Sequence, residues 1–165
     1  MISKRLVGAI DIQINREIYS AYLYLSMAAY FDSLKLKGCA NWMKVQFQEE
    51  MMHAMKLYDY VYLRGDRITL LPVEAPRASW GSPLKAFEHT LDHEKKVTSL
   101  INGLVSVARE EADEDAVKFL GWFVKEQKEE EESAEDKVEK FKNAGADETK
   151  VRKIDEELLK RTFHG

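Results

Sequence analysis

Along almost the whole chain, apolar residues return every three to four positions, and the pattern stops only where glycine, proline or short polar side chains gather. The first stripe, Leu6, Ile10, Ala21, Tyr24 and Ala28, predicts a helix over 3–33 with Ser3 as its cap. After a short turn, a second helix is expected over 38–64, closed by Gly65 and Asp66. Residues 66–81 hold Pro72 and Pro76 among alternating Ile68, Leu70 and Val73, so they read as an extended connection. Ser82 as cap and Pro83 in the first turn start a third helix over 82–111. Asp113 to Asp115 opens a fourth over 114–142, Asn143 to Gly145 breaks it, and Asp147 caps a short fifth over 147–161.

These lengths constrain the topology. The first turn is short enough to make the first two helices an antiparallel hairpin. About sixteen extended residues reach roughly 50 Å, whereas a helix of about 27 residues measures roughly 40 Å. The connection can therefore travel the full length of a bundle, so the third helix starts beside the start of the second and runs parallel to it. The expected fold is all-α: an antiparallel four-helix bundle with a long crossover between helices two and three and a short fifth helix.

Composition narrows the class without altering that picture. The 165 residues suit a single domain, 1–165, with a sizeable core. At 45% hydrophobic and 33% charged residues the chain reads as soluble and globular, and no apolar run approaches the ~20 residues of a membrane span. The N-terminal residues lack the apolar core of a signal peptide. The single Cys39 can form no internal disulfide, in keeping with a reducing cytoplasm. A net charge of -4 and the lack of a basic tail argue against nucleic acid as a partner.

What the hydrophobic pattern does not explain is a set of polar residues inside it. Glu17 interrupts the first stripe, Glu50 and His53 the second, Glu94 the third, and Gln127 and Glu130 the fourth. Removing a carboxylate from water costs several kcal/mol unless a partner compensates, which is comparable with a domain's whole stability. The spacing is duplicated. Glu17 precedes Glu50 by 33 residues and His53 by 36, and Glu94 precedes Gln127 by 33 and Glu130 by 36. Each hairpin thus offers one acid from its first helix and an i, i+3 pair from its second, at matching depth along the bundle. Four carboxylates balance two divalent cations, or two ferric ions sharing an oxide. A carboxylate-rich set with one imidazole suits iron or manganese better than a structural zinc site, although spacing leaves zinc open. The arrangement matches the known pattern of di-iron carboxylate bundles, with one departure. Gln127-x-x-Glu130 stands where a second Glu-x-x-His pair is usual, so the second cation should be held more weakly.

Several segments together carry a family resemblance: Glu17 to Tyr24, Asn41 to Met43, Glu49 to Met55, Phe87 to Glu94, and Phe119 to Gln127. The chain resembles the non-haem ferritins of bacteria and archaea over essentially its whole length. That resemblance implies a hollow homo-oligomeric shell, normally of 24 subunits, that oxidises Fe(II) with dioxygen or peroxide and stores ferric mineral. It implies one ferroxidase metal on Glu17, Glu50 and His53, and another on Glu50, Glu94 and Glu130 with Gln127 nearby. It further implies a third iron position on Glu49, Glu126 and Glu129 with Glu130, and Tyr24 as electron donor or hydrogen-bond partner.

Other features point elsewhere. Met51 follows the helix-two glutamate as a haem-binding methionine does in bacterioferritins, but Gln127 departs from their second Glu-x-x-His. A rubrerythrin-like peroxidase usually adds paired cysteines, which the chain lacks. DNA-protecting mini-ferritins place their metal site between subunits, against the intrabundle set here. Trp122 reads as packing, His89 and His93 as surface residues, and Asp113 to Asp115 as a helix start or an iron entry path.

Overall fold

Ser3 accepts a hydrogen bond from the Leu6 amide at 3.1 Å and starts α1 (Lys4–Ser33), the first of five helices in a computed structural model that describes Met1–Gly165. The others are α2 (Lys37–Leu63), α3 (Pro83–Glu110), α4 (Glu114–Ala144) and α5 (Glu148–Leu158), with no strand. Ser82, Asp113 and Asp147 each cap the helix that follows with a side-chain oxygen. Between α1 and α2 the chain reverses through Lys35 in the left-handed region, φ 59°, and the Leu36 amide bonds back to the Phe31 carbonyl at 3.0 Å. Ala112, φ 53°, plays the same part between α3 and α4.

The crossover is pinned along α1. Lys4 pairs with Asp66, Asp11 accepts from the Thr69 amide at 3.0 Å, Asn15 donates to the Pro72 carbonyl at 2.8 Å, and Ser26 donates to that of Arg77 at 2.6 Å. The pairs climb together, so residues 66–81 run the length of α1 and deliver α3 to its far end. There Phe87 packs between Phe31, Trp42 and Phe141. α3 therefore runs parallel to α2 and antiparallel to α1.

The fifth helix is shorter than its sequence pattern, which extends to 161. It ends at Leu158 because the following backbone leaves the helical path: Asn41 takes the carbonyls of Leu158, Leu159 and Arg161. Its other anchor is Asp155, which accepts from the Cys39 amide at 2.7 Å at the start of α2. A carboxylate there meets the positive end of the helix.

The core is in two parts. One apolar cluster gathers Leu23 to Phe31 of α1, the start of α2, Phe87, Phe141 and α5. The other gathers Leu6 to Ile14, the end of α2, Val97 to Ala108 and the start of α4. On every long helix the switch between clusters occurs where the buried polar residues lie, so a polar layer crosses the bundle at mid-height. No helix is long and apolar enough to cross a membrane.

Candidate metal centre

Four helices place one or two polar side chains each in that layer. Glu17, Glu50 and Glu94 are 0% exposed, His53 1%, Gln127 2% and Glu130 5%. The positions follow from helix arithmetic, since Glu50 and His53 stack one turn apart on α2 and Gln127 and Glu130 do so on α4. His53 Nδ1 lies 3.2 Å from Glu50 and 4.0 Å from Glu17. Potential ligand atoms of Glu17, Glu50 and His53 fall within 4.8 Å of one another, as do those of Glu50, Glu94 and Glu130. The two trios share Glu50, which lies between them.

Hydrogen bonding inside the layer is incomplete in an informative way. Gln13 donates to Glu17 at 3.1 Å, Gln46 to Glu130 at 3.0 Å, and Gln127 to Glu94 at 3.0 Å. The Tyr24 hydroxyl donates to the other oxygen of Glu94. Yet Glu17 Oε2, Glu50 Oε1 and His53 Nε2 are buried with no hydrogen-bond partner. Native interiors rarely leave such atoms unpaired, because each costs about 1–3 kcal/mol, more when charged. Three from the same cluster leave a set of buried atoms that could hold a cation. The donor set, oxygen with one nitrogen and no sulfur, fits a divalent first-row metal such as iron.

Electrostatics agree. Burial pushes the Glu94 carboxyl up to about 7, with Tyr24 and Gln127 pulling the other way through their hydrogen bonds. Burial and the Glu94 and Glu17 charges raise Glu50 well above the ordinary carboxylate range, and burial with Glu94 does the same for Glu130. Burial and Glu94 also raise the Tyr24 phenol. Carboxyls crowded in this way hold protons until positive charge replaces them.

The residues expected at a third position are spread differently. Glu126 Oε1 is 3.9 Å from His53 Nε2 and forms a further trio with His53 and Glu130. Burial raises its carboxyl as well. Glu129 is exposed, and Glu49 is held by Arg161 at 3.0 Å. Met51 is half-buried, and Trp122 packs edge-on to His53 with ring centroids 5.5 Å apart.

Two histidines correct the expectation of surface roles. His93 bonds to Ser20 at 2.7 Å and packs against the Tyr19 and Tyr24 rings, because α1 covers the face that a lone helix would leave open. His89 accepts from the Trp80 indole at 2.7 Å. Asp113, besides capping α4, pairs with Arg64 at 2.9 Å. The hydrophobic pattern gives no role to Gln13 and Gln46. Both fall on the inward stripe of their helix, four residues before a buried glutamate, Glu17 and Glu50, and that place on the stripe is their signal in the sequence.

A family model described as a ferritin-like domain matches residues 7–144. A bacterial non-heme ferritin of Bacteroides fragilis is 44% identical over 145 residues, covering 88% of this chain and 91% of its own. One of Staphylococcus epidermidis is 35% identical over 164 residues, 99% of each chain. Among solved structures, an open-pore ferritin of the archaeon Archaeoglobus fulgidus superposes with a TM-score of 0.97 at 54% identity, covering 98% of this chain and 99% of that one. A humanized archaeal ferritin gives 0.99 at 52% identity over the full length of both. With its fold, its mid-bundle polar layer and these end-to-end alignments in agreement, the chain belongs to the ferritin family of iron-storage proteins.

Proposed function

We propose that the mid-bundle layer is a ferroxidase centre that takes two Fe(II) ions as substrate and passes ferric product to a stored mineral. The observation that carries this is the pair of buried ligand trios sharing Glu50, Glu17–Glu50–His53 and Glu50–Glu94–Glu130, within which Glu17 Oε2, Glu50 Oε1 and His53 Nε2 have no hydrogen-bond partner. Glu17, Glu50 and His53 hold one ion; Glu50, Glu94 and Glu130 hold the other, with Gln127 orienting Glu94. Glu50 bridges. Four carboxylates then balance two divalent charges, which removes the burial penalty that raises Glu50, Glu94 and Glu130 in the metal-free protein.

Two Fe(II) ions held side by side supply two electrons to one dioxygen; with two protons this gives two Fe(III) and one hydrogen peroxide. The chain positions the ions and balances their charge, while the redox chemistry belongs to the iron. Peroxide as oxidant would take the same two electrons. The second ion lacks an imidazole ligand, so ferric product leaves that side more readily. Glu126 and Glu129, with Glu130 and Glu49, form a third iron position along the exit. Tyr24 fixes Glu94 and can donate an electron.

Storage requires an enclosed volume, which this reading supplies as a homo-oligomeric shell of 24 subunits. A reducing cytoplasm, where Fe(II) persists and Cys39 stays a buried thiol, is the compartment it implies.

The test is aerobic oxidation of Fe(II) followed by ferric absorbance. Wild-type protein should oxidise two ions per subunit rapidly, and Glu50→Ala with His53→Ala should fall to near the protein-free rate while keeping the helical fold. A double variant as fast as wild type removes the centre from this site. Sedimentation after iron loading reports shell and mineral together.

A further inference from the structure

The segment after α5 sends one side chain back to the edge of the centre. The Arg161 guanidinium donates to the Trp42 carbonyl at 3.1 Å, to Gln46 Oε1 at 2.6 Å and to Glu49 at 3.0 Å. It also lies over the Trp42 ring, 4.4 Å from the centroid. Gln46 is 1% exposed, and its Nε2 donates to Glu130.

The direction of these bonds is forced. A guanidinium has donors only, so Gln46 must turn its oxygen toward Arg161. The NH₂ end of the amide is then the one left for Glu130, which accepts it. Without Arg161 the Gln46 oxygen loses the donor that anchors it, and the side chain is free to swing its NH₂ end away from Glu130. Glu130 would lose the donor that fixes its plane against Glu50 and Glu94.

We infer that Arg161 is a positioning residue: acting through Gln46, it fixes the Glu130 carboxylate in the orientation that takes the second cation of the pair. The inference rests on the di-iron reading above. It goes beyond anchoring α5, because that helix is already held by Asn41 on its last carbonyls and by Asp155 at the start of α2. The shortest bond from Arg161 runs instead to Gln46, a side chain that serves neither anchor.

The test uses the full-length, metal-free protein titrated with Zn(II) by calorimetry and with Co(II) by its visible spectrum, so no redox turnover is involved. Wild type should take at least two cations per subunit. In Arg161→Leu the tighter cation should bind as before, and the weaker should lose about ten- to a hundredfold in affinity, the range typical of groups that orient a metal ligand. Its Co(II) band should shift as the Glu130 geometry relaxes. Gln46→Met, which leaves the Asn41 and Asp155 anchors in place, should show the same loss and carries the test if Arg161→Leu does not fold. The double variant should lose no more than either single one, because the two act in one chain of bonds. An unchanged second affinity in both single variants, or additive losses in the double, overturns the positioning role while leaving the di-iron reading intact. Fewer than two cations in wild type overturns that reading, and the inference with it, before any variant is made.

Discussion

Gly38, at the start of α2, lies so close under Asp155 of α5 that a β-carbon placed on it would come within 1.6 Å of the Asp155 carbonyl oxygen. The atom met is backbone, so it cannot turn aside, and the Cys39–Asp155 bond holds the same pair of segments together. Gly38→Ala must therefore push α5 off α2, exposing Ile154 and Leu158. The expected cost is about 3 kcal/mol, at the upper end for overpacking. Gly103, within α3, is the contrast, with nothing within 4 Å of its added β-carbon. Gly103→Ala should stabilise by about 0.5–1 kcal/mol, the helix-interior difference between the two residues. Chemical denaturation of the two variants beside wild type checks the pair. Equal effects of the same sign would mean that α5 does not pack as described.

The difference between these glycines also shows where sequence reading stops. Helices α1 to α4, the caps Ser3, Ser82 and Asp113, and the crossover are legible because each is a local matter of apolar period, capping side chain or proline. The buried Glu17, Glu50, His53, Glu94, Gln127 and Glu130 are legible for the same reason, since helix arithmetic alone brings them to one depth. Contacts made by a returning segment have no such period. Nothing near Gly38 in the sequence announces Asp155, and nothing near Gln46 announces Arg161; both depend on where α5 docks. The partial burial of His93 is hidden on the same ground. A helical wheel for α3 puts it about 100° from Glu94 but does not say that Ser20 and Tyr19 of α1 cover that side.

Tyr24 donates its hydroxyl to Glu94, and a donor to a carboxylate favours the ionised form. Tyr24→Phe removes that donor and leaves the Gln127 bond alone on the other oxygen. The Glu94 carboxyl should then titrate above its present value of about 7. Near neutral pH a cation must displace that proton more often. If the carboxyl climbs by roughly one on the pH scale, Zn(II) binding at pH 6.5 should weaken about tenfold. At pH 8.5 the difference should shrink, because Glu94 is largely ionised either way. Calorimetry at the two pH values measures this. A loss of equal size at both would assign Tyr24 to packing rather than to the charge state of Glu94.

The metal-free protein should lose stability as pH rises through the range where most proteins gain or hold it. The Glu94 carboxyl is raised by burial to about 7 from an ordinary value of 4.5. Below about 4.5 it is protonated whether folded or unfolded, and its burial carries no penalty. Between about 4.5 and 7 the unfolded chain releases the proton while the folded protein keeps it, so unfolding is favoured progressively more. Above 7 the loss from this group is complete, on the order of 3 kcal/mol for a carboxyl displaced that far. Glu50 and Glu130, raised in the same direction, add to the slope and extend it upward. Surface carboxylates lowered by their partners, Asp66 beside Lys4 and Asp113 beside Arg64, act oppositely, and their contribution disappears only in acid. Comparison with Glu94→Gln isolates the buried group. In chelator, the variant should gain on wild type as pH rises from 4.5 to 7 and hold that gain above it. Saturating Zn(II) should reverse the order, since the ionised wild-type carboxylate binds the cation and the amide does so poorly. Denaturation curves in chelator that show a constant difference between the two proteins across this window would mean that Glu94 is not held protonated in the folded chain.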